Sequence, residues 1–372
     1  MISTPRLDQA DLVVVGAGIV GLAHAVEGVR RGLSVVVVER DDRPVGASVR
    51  NFGYVCLTAQ TATALEYATT ARQTWLQLAE QAGLWVRDSG AVVVARAEDE
   101  YAVLEEFQAV RDDVVLLDAS QLRQRVPTGD DAVGGAWFPL DLRVDPRRAV
   151  PALAAWLAGQ GVRFHWSTAM HTVEPGLVVT SRGEIKAGAT VVAVGHDIDR
   201  HFPDLAEQAE HRRCALHMLK VGDPHGRVID PAVLSGFSLV RYDAFRACPT
   251  VPALRARLTE QHPGLLEAGL NLMLTQCPDG DLLIGDTHAY AVTHDPFRSE
   301  DLDQAILEQA ASLLGAGPLT VKQRWRGVYS SAPEPFLTGV PMPGVGLVSV
   351  TSGAGMTTAF GLAPHILDQL LA

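Results

Sequence analysis

Three glycines and a glutamate near the start of the chain have the types and spacing to hold a dinucleotide. Gly16, Gly18 and Gly21 stand in G-x-G-x-x-G order, and Glu39 follows 18 residues after Gly21. In this pattern the first glycine permits a tight turn and the second lets the backbone approach a pyrophosphate. The third lets a helix pack closely on a strand. A glutamate at this distance can accept both hydroxyls of an unphosphorylated ribose, so FAD or NAD is expected rather than NADP.

The flanking pattern supplies the elements that position these groups. Asp11 to Val15 reads as a strand, Ile19 to Arg31 as a helix stopped by Gly32, and Ser34 to Val38 as a second buried strand ending at Glu39. The helix begins at Ile19 and Val20, with its N-terminus toward the phosphates. The glycine motif alone says little. Inside a strand–helix–strand unit with a terminal glutamate it specifies a dinucleotide site.

A second loop, GASVRNFGYV (Gly46 to Val55), follows at once. Its small residues admit a cofactor, and Ser48, Arg50, Asn51 and Gly53, with Arg40 before them, join the expected cofactor set. Arg50 and Asn51 point either at cofactor oxygens or at a substrate anion. Further on, DPRRAVPALAAWLAGQGVRF reads as a helix followed by a strand. HTVEP, with Val173, returns beside it, and an apolar strand ends at Gly195. Near the C-terminus a strand (Gly346 to Val350) runs through Ser352, Gly353, Ala354 and Gly355 into a helix headed by Met356 and Thr357. Such an N-terminus offers free amides to the O2 edge of a flavin. A nicotinamide enzyme has no need of this distant second loop, so FAD is the expected cofactor.

Bulk composition excludes other classes. The 31 Lys and Arg against 43 Asp and Glu give a formal charge of -12, which argues against nucleic-acid binding. The four cysteines, Cys56, Cys214, Cys248 and Cys277, form no C-x-x-C, so neither a zinc site nor a disulfide framework is expected. No apolar run reaches the length of a bilayer span, and the N-terminal run starts a strand. A cytoplasmic protein with no metal and no membrane partner is expected; the oligomeric state is left open.

GAGIVG…ER, GASVRNFG, VVAVGHD and GAGMTTAFGLAP together resemble the FAD-dependent amine oxidases of the D-amino-acid oxidase, glycine oxidase and sarcosine oxidase family, over nearly the whole chain. The resemblance implies an α/β plus antiparallel β fold, in which a Rossmann-like FAD-binding domain is interleaved with a mixed-sheet substrate domain. The expected division gives residues 1–80, 141–205 and 326–372 to the FAD-binding domain and 81–140 and 206–325 to the substrate domain. Helices are read over 57–82 and around Val114 to Asp118. Strands are read at Ala91 to Ala95, Leu216 to Val221, Leu270 to Cys277 and Asp281 to Asp286, and a helix is stopped by Gly315.

The family resemblance also bears on the substrate. Where relatives clamp an amino-acid carboxylate with arginine, this chain has Tyr329 within RWRGVYSSAPEPF. Arg324 and Arg326 precede it, and alternation along a strand puts both on one face as an anion fork. Gly327 stands where some relatives attach FAD through cysteine, so non-covalent FAD is expected. Leu283 stands where a lysine assists oxygen. GASVRNFGYV, IGDTHAY and RWRGVYSS resemble the branch associated with breakdown of 2-aminoethylphosphonate and its N-methyl derivative. That implies oxidation of a C–N bond to phosphonoacetaldehyde plus ammonia or methylamine, with O2 reduced to H2O2. Arg50, His288, Tyr290, Arg326 and Tyr329 form the expected substrate pocket. The rival readings are a glycine- or sarcosine-type amino-acid oxidase, an amine dehydrogenase with a non-oxygen acceptor, and a flavin-binding protein without catalysis.

Overall fold

The first strand, Arg6–Val15, sits inside a parallel sheet because its apolar run is buried on both faces. Leu12, Val13 and Val14 are wholly buried. A computed structural model of the chain describes residues 6–372. Gly183–Val192 pairs parallel on one side of the first strand, and Val35–Val38, four buried valines, on the other. Arg163–His165 extends the sheet beyond Val35–Val38, and Val345–Ser352 extends it beyond Gly183–Val192. The helices Ile19–Arg30, Ala62–Ala82, Pro146–Gly159 and Gly355–Leu371 share one apolar cluster with these strands. This is the Rossmann-like half, with these helices on one face of its sheet.

The other half is mostly antiparallel. Its strands run in the order Val115–Asp118, Gly134–Phe138, Ala91–Ala95, Ala232–Leu234, Met273–Gln276, Leu282–Gly285, Arg212–Val221. One strand joins the halves. Val321–Met342, 22 residues long, pairs with Arg212–Val221 along its first part. Along its second part it pairs with Val345–Ser352. The expected combination of a Rossmann-like half and a mixed-sheet half is the observed one.

Two local readings change. The helix expected from residue 57 starts at Ala62. The amides of Leu57 and Thr58 instead donate to Asp141 Oδ1, at 2.9 and 2.7 Å, which ties that backbone down before a helical turn can form. HTVEP does not return beside Arg163–His165. Its strand, Met170–Glu174, forms a hairpin with Leu177–Thr180, joined by the turn at Pro175 and Gly176. Among the described residues no helix is long and apolar enough to cross a membrane. None of their His, Cys, Asp and Glu side chains gather in a group that could hold a metal ion.

Candidate active site

A cavity of about 1100 Å³ runs from Glu39 to Tyr329. Gly16, Gly18, Ile19 and Val20 form its wall at the first strand–helix turn, beside Glu39 and Arg40. Gly16 has φ +107, a conformation open to glycine and strained for other residues. At Gly21 a Cβ would lie 1.9 Å from the Gly16 carbonyl oxygen, so only glycine lets the helix cross there. Glu39 Oε2 accepts the Ala17 N–H at 2.8 Å and Oε1 accepts the Asp41 N–H at 3.1 Å. The carboxylate is thereby fixed at the end of Val35–Val38. Ser48 Oγ accepts the Ile19 N–H at 2.9 Å and joins the second loop to the head of the first helix. Asn51 braces the loop itself: its Nδ2 donates to the Ala47 and Ser48 carbonyls, and its Oδ1 accepts the Gly53 N–H at 2.7 Å. Gly353 to Thr357 contribute the head of the C-terminal helix.

The far end of the cavity has a different chemistry. Tyr54, Arg241, Tyr242, Asn271, Asp286, His288, Tyr290 and Tyr329 line it. Arg241 Nη2 donates to the Tyr290 hydroxyl at 2.6 Å, and no carboxylate among the described residues pairs with its guanidinium. Burial works against that charge. The groups around it, Tyr329, Tyr290 and Asp286, outweigh burial and hold the arginine firmly protonated. His288 Nδ1 lies 2.8 Å from the Gly269 carbonyl oxygen. A carbonyl only accepts, so Nδ1 carries the proton and Nε2 is bare. Burial, reinforced by Arg241, lowers the His288 pKa to about 3, so the ring is neutral at working pH. Burial also pushes the Asp286 carboxyl up to about 7, against the pull of Arg241. Its Oδ1 has no hydrogen-bond partner.

Residues 11–369 match the family model described as DAO, FAD dependent oxidoreductase. The chain belongs to the DAO family. It is an FAD-dependent oxidoreductase by that membership. Similar solved structures are glycine oxidase from Bacillus cereus (17% identity, TM-score 0.79, 97% of each chain) and L-proline dehydrogenase from P. horikoshii (18%, 0.78, 97% of this chain and 93% of the other). Iminodiacetate oxidase from a Chelativorans species is also similar (18%, 0.74, 97% and 95%). At these identities the likeness speaks for the fold. A subunit of opine oxidase from Rhizobium meliloti is 26% identical over 223 residues, and the match covers 52% of this chain and 58% of that protein.

In this DAO-family chain the cavity fits FAD. It is elongated, two helix N-termini face it, and glycines keep its walls open: around Gly46 and Gly195 a Cβ would meet nothing within 4 Å. Most of the residues expected around the cofactor line it, and so do Arg50, His288, Tyr290 and Tyr329. Four positions differ. Val173 packs on the sheet beside Met170 and Val178, and Thr168, Ala169 and Met170 line the cavity in its stead. Gly53 makes a close backbone approach, where a Cβ would lie 1.9 Å from the Val144 carbonyl oxygen. Gly21 also lies behind the wall, in the packing role read for it. Arg326 lies outside the cavity altogether.

Arg324 and Arg326 share a face, as alternation requires, but that face meets the helix Glu300–Leu314. Arg324 pairs with Glu300 at 2.8 Å and Asp303 at 3.1 Å, and Arg326 donates to the Phe297 carbonyl at 3.0 Å. The anion fork is therefore absent. The cationic group among the residues at the far end of the cavity is Arg241, which sequence reasoning missed together with Asp286, Tyr242 and Asn271. The available signal was weak: a single arginine inside the apolar run SGFSLVRYDAF. Arg40 borders the cavity, but its Nη1 is held by the buried Asp197 at 2.6 Å.

Proposed function

We propose that the chain oxidises a C–N bond of a small amine that also carries an anionic group, with 2-aminoethylphosphonate or its N-methyl derivative as the substrate to test first. The carrying observation is Arg241: a half-buried guanidinium, paired with no carboxylate among the described residues, inside the same cavity as the cofactor cradle. A phosphonate or carboxylate would complete it through charge-assisted hydrogen bonds, with the Tyr290 and Tyr329 hydroxyls beside it. Glu39 would hold the ribose, and the N-terminus of Ile19–Arg30, with Ser48, the pyrophosphate. The N-terminus of Gly355–Leu371 would face the ring. When bound, FAD supplies the hydride acceptor. The chain itself positions the amine, keeps the site dry and holds the anion. The oxidised C=N bond is then hydrolysed: water adds to the carbon, the C–N bond breaks, and an aldehyde and ammonia or methylamine are released.

A second reading is a secondary amine bearing two carboxylates. The matches to the opine oxidase subunit and to iminodiacetate oxidase support it. Glycine and sarcosine form a third test class. Anaerobic mixing of the yellow protein with N-methyl-2-aminoethylphosphonate, 2-aminoethylphosphonate, iminodiacetate, sarcosine and glycine separates these readings. Bleaching by the phosphonates alone is the expected result. Bleaching by the carboxylates with the phosphonates inert overturns the phosphonate assignment. Leu283, in the place of the oxygen-assisting lysine, is buried in the strand Leu282–Gly285 and does not line the cavity. Peroxide yield per amine oxidised then distinguishes an oxidase from a dehydrogenase with another acceptor.

A further inference from the structure

We infer that Asp286 takes the proton of an incoming ammonium group on its Oδ2, freeing the nitrogen lone pair before the C–H bond is broken. This rests on the C–N oxidation proposed above. Asp286 lines the cavity that holds Arg241, and it is only 5% exposed. Neither carboxylate oxygen has a side-chain donor, a costly state for a buried carboxylate: Oδ1 is sealed in the wall, which leaves Oδ2 as the oxygen open to the cavity.

No neighbouring group supplies a donor. His288, on the same segment, offers a bare Nε2 at 3.8 Å from Oδ2. Arg241, from the segment after the helix Gly236–Leu239, directs Nη2 at Tyr290. The Tyr242 hydroxyl donates to Met273 Sδ at 3.3 Å. Cys214, from the strand Arg212–Val221, is a buried thiol and a weak donor. Asn271 meets Asp286 through backbone bonds alone. The missing donor is one that a substrate brings.

In the transfer the substrate N–H bond breaks, its electron pair stays on nitrogen, and an O–H bond forms on Asp286. No oxidant is consumed. The result removes a buried charge problem: the substrate anion pairs with Arg241, while amine and carboxyl are both neutral. His288 is the other acceptor at hand, but its depressed basicity makes it the poorer one. Asp286 has a pKa near neutrality, which suits a reversible acceptor at working pH. Hydrolysis of the oxidised C=N bond by one water already yields the departing amine as its ammonium form, so the Asp286 proton is given up to solvent as product leaves and the carboxylate is restored.

The test is the rate of anaerobic flavin bleaching by N-methyl-2-aminoethylphosphonate and by iminodiacetate from pH 5 to 10, in the wild type, Asp286→Asn and Asp286→Glu. In the wild type the rate is expected to fall on the acid side through a pKa near 7. At pH 7 the asparagine variant is expected to be about 100-fold slower. Its acid limb should move up toward the amine's own pKa, and the gap should close near pH 10. The glutamate variant should keep the original limb. Ethylphosphonate and propionate carry no ammonium, so their perturbation of the flavin spectrum should be as strong in Asp286→Asn as in the wild type. An unmoved acid limb, or loss of anion binding in parallel with rate, overturns the role of Asp286 alone. If neither amine bleaches the wild type, the C–N reading fails and the role of Asp286 fails with it.

Discussion

Arg241 concentrates the recognition problem in one side chain. Its fork suits a tetrahedral or planar oxyanion, whereas lysine offers a point charge. Arg241→Ala is expected to raise KM for an anionic amine about 100-fold, the scale of losing one partner of a buried charge pair, about 3 kcal/mol. Arg241→Lys should recover part of this, and steady-state kinetics with amines of equal size with and without the anion checks both. Glu39 holds two backbone amides besides any ribose. Glu39→Ala should therefore weaken flavin binding by roughly 10-fold or more, read by titrating the apoprotein with FAD and following flavin fluorescence. At this scale the places of Glu39, Ser48, His288 and Tyr329 along the cavity were legible because each stands beside a glycine motif or in a segment with a family counterpart. Arg241 and Asp286 were not. The roles proposed for them rest on what lacks a partner in three dimensions, and a sequence does not show which charges go unpaired. Arg324 and Arg326 are the converse case: alternation gave them a shared face, but only the fold shows that Glu300 and Asp303 already occupy it.

At the scale of elements, the strand–helix turns at the two ends were readable because glycine spacing and continuous apolar runs both mark them. The stretch from Gly222 to Leu270 was not. Its short helices and turns have no sustained period, and it carries Arg241 and Tyr242. Helix contacts give two further expectations. At Gly361 a Cβ would lie 2.2 Å from the Tyr67 carbonyl oxygen, where Gly355–Leu371 crosses Ala62–Ala82. Gly361→Ala should cost about 1–3 kcal/mol by overpacking, seen as a lower urea midpoint with unchanged slope. His24, inside Ile19–Arg30, is fully buried, and burial lowers its pKa to about 4 despite the Val20 carbonyl. The unfolded chain binds a proton there below about 6.5 and the folded chain does not until about 4. Its contribution is therefore present above pH 6.5 and lost as pH falls toward 4. Relative to His24→Gln, the wild type should lose about 1.4 kcal/mol per pH unit across that window, measured by urea unfolding at stepped pH.

For the whole molecule, the expected architecture and the FAD dependence agree with the observed fold and the family match, because the motifs that carry them span both ends of the chain. The mode of attachment is open to a simple check. Gly327 borders the cavity and offers no thiol, and burial pushes the Cys56 thiol, also at the cavity, up to about 12. A protonated thiol is a poor nucleophile. Acid precipitation should leave a colourless pellet and a yellow supernatant; a yellow pellet would mean a covalent link. The strand Val321–Met342 has a mechanical meaning as well. It is laced to the substrate wall along one stretch and to the cofactor sheet along the next, so it acts as a beam running through both. Prising the halves apart would tear the ladders of backbone bonds on both stretches. Passage of amine and product is then left to the rim of the cavity, where Tyr290 is exposed, rather than to a parting of the halves.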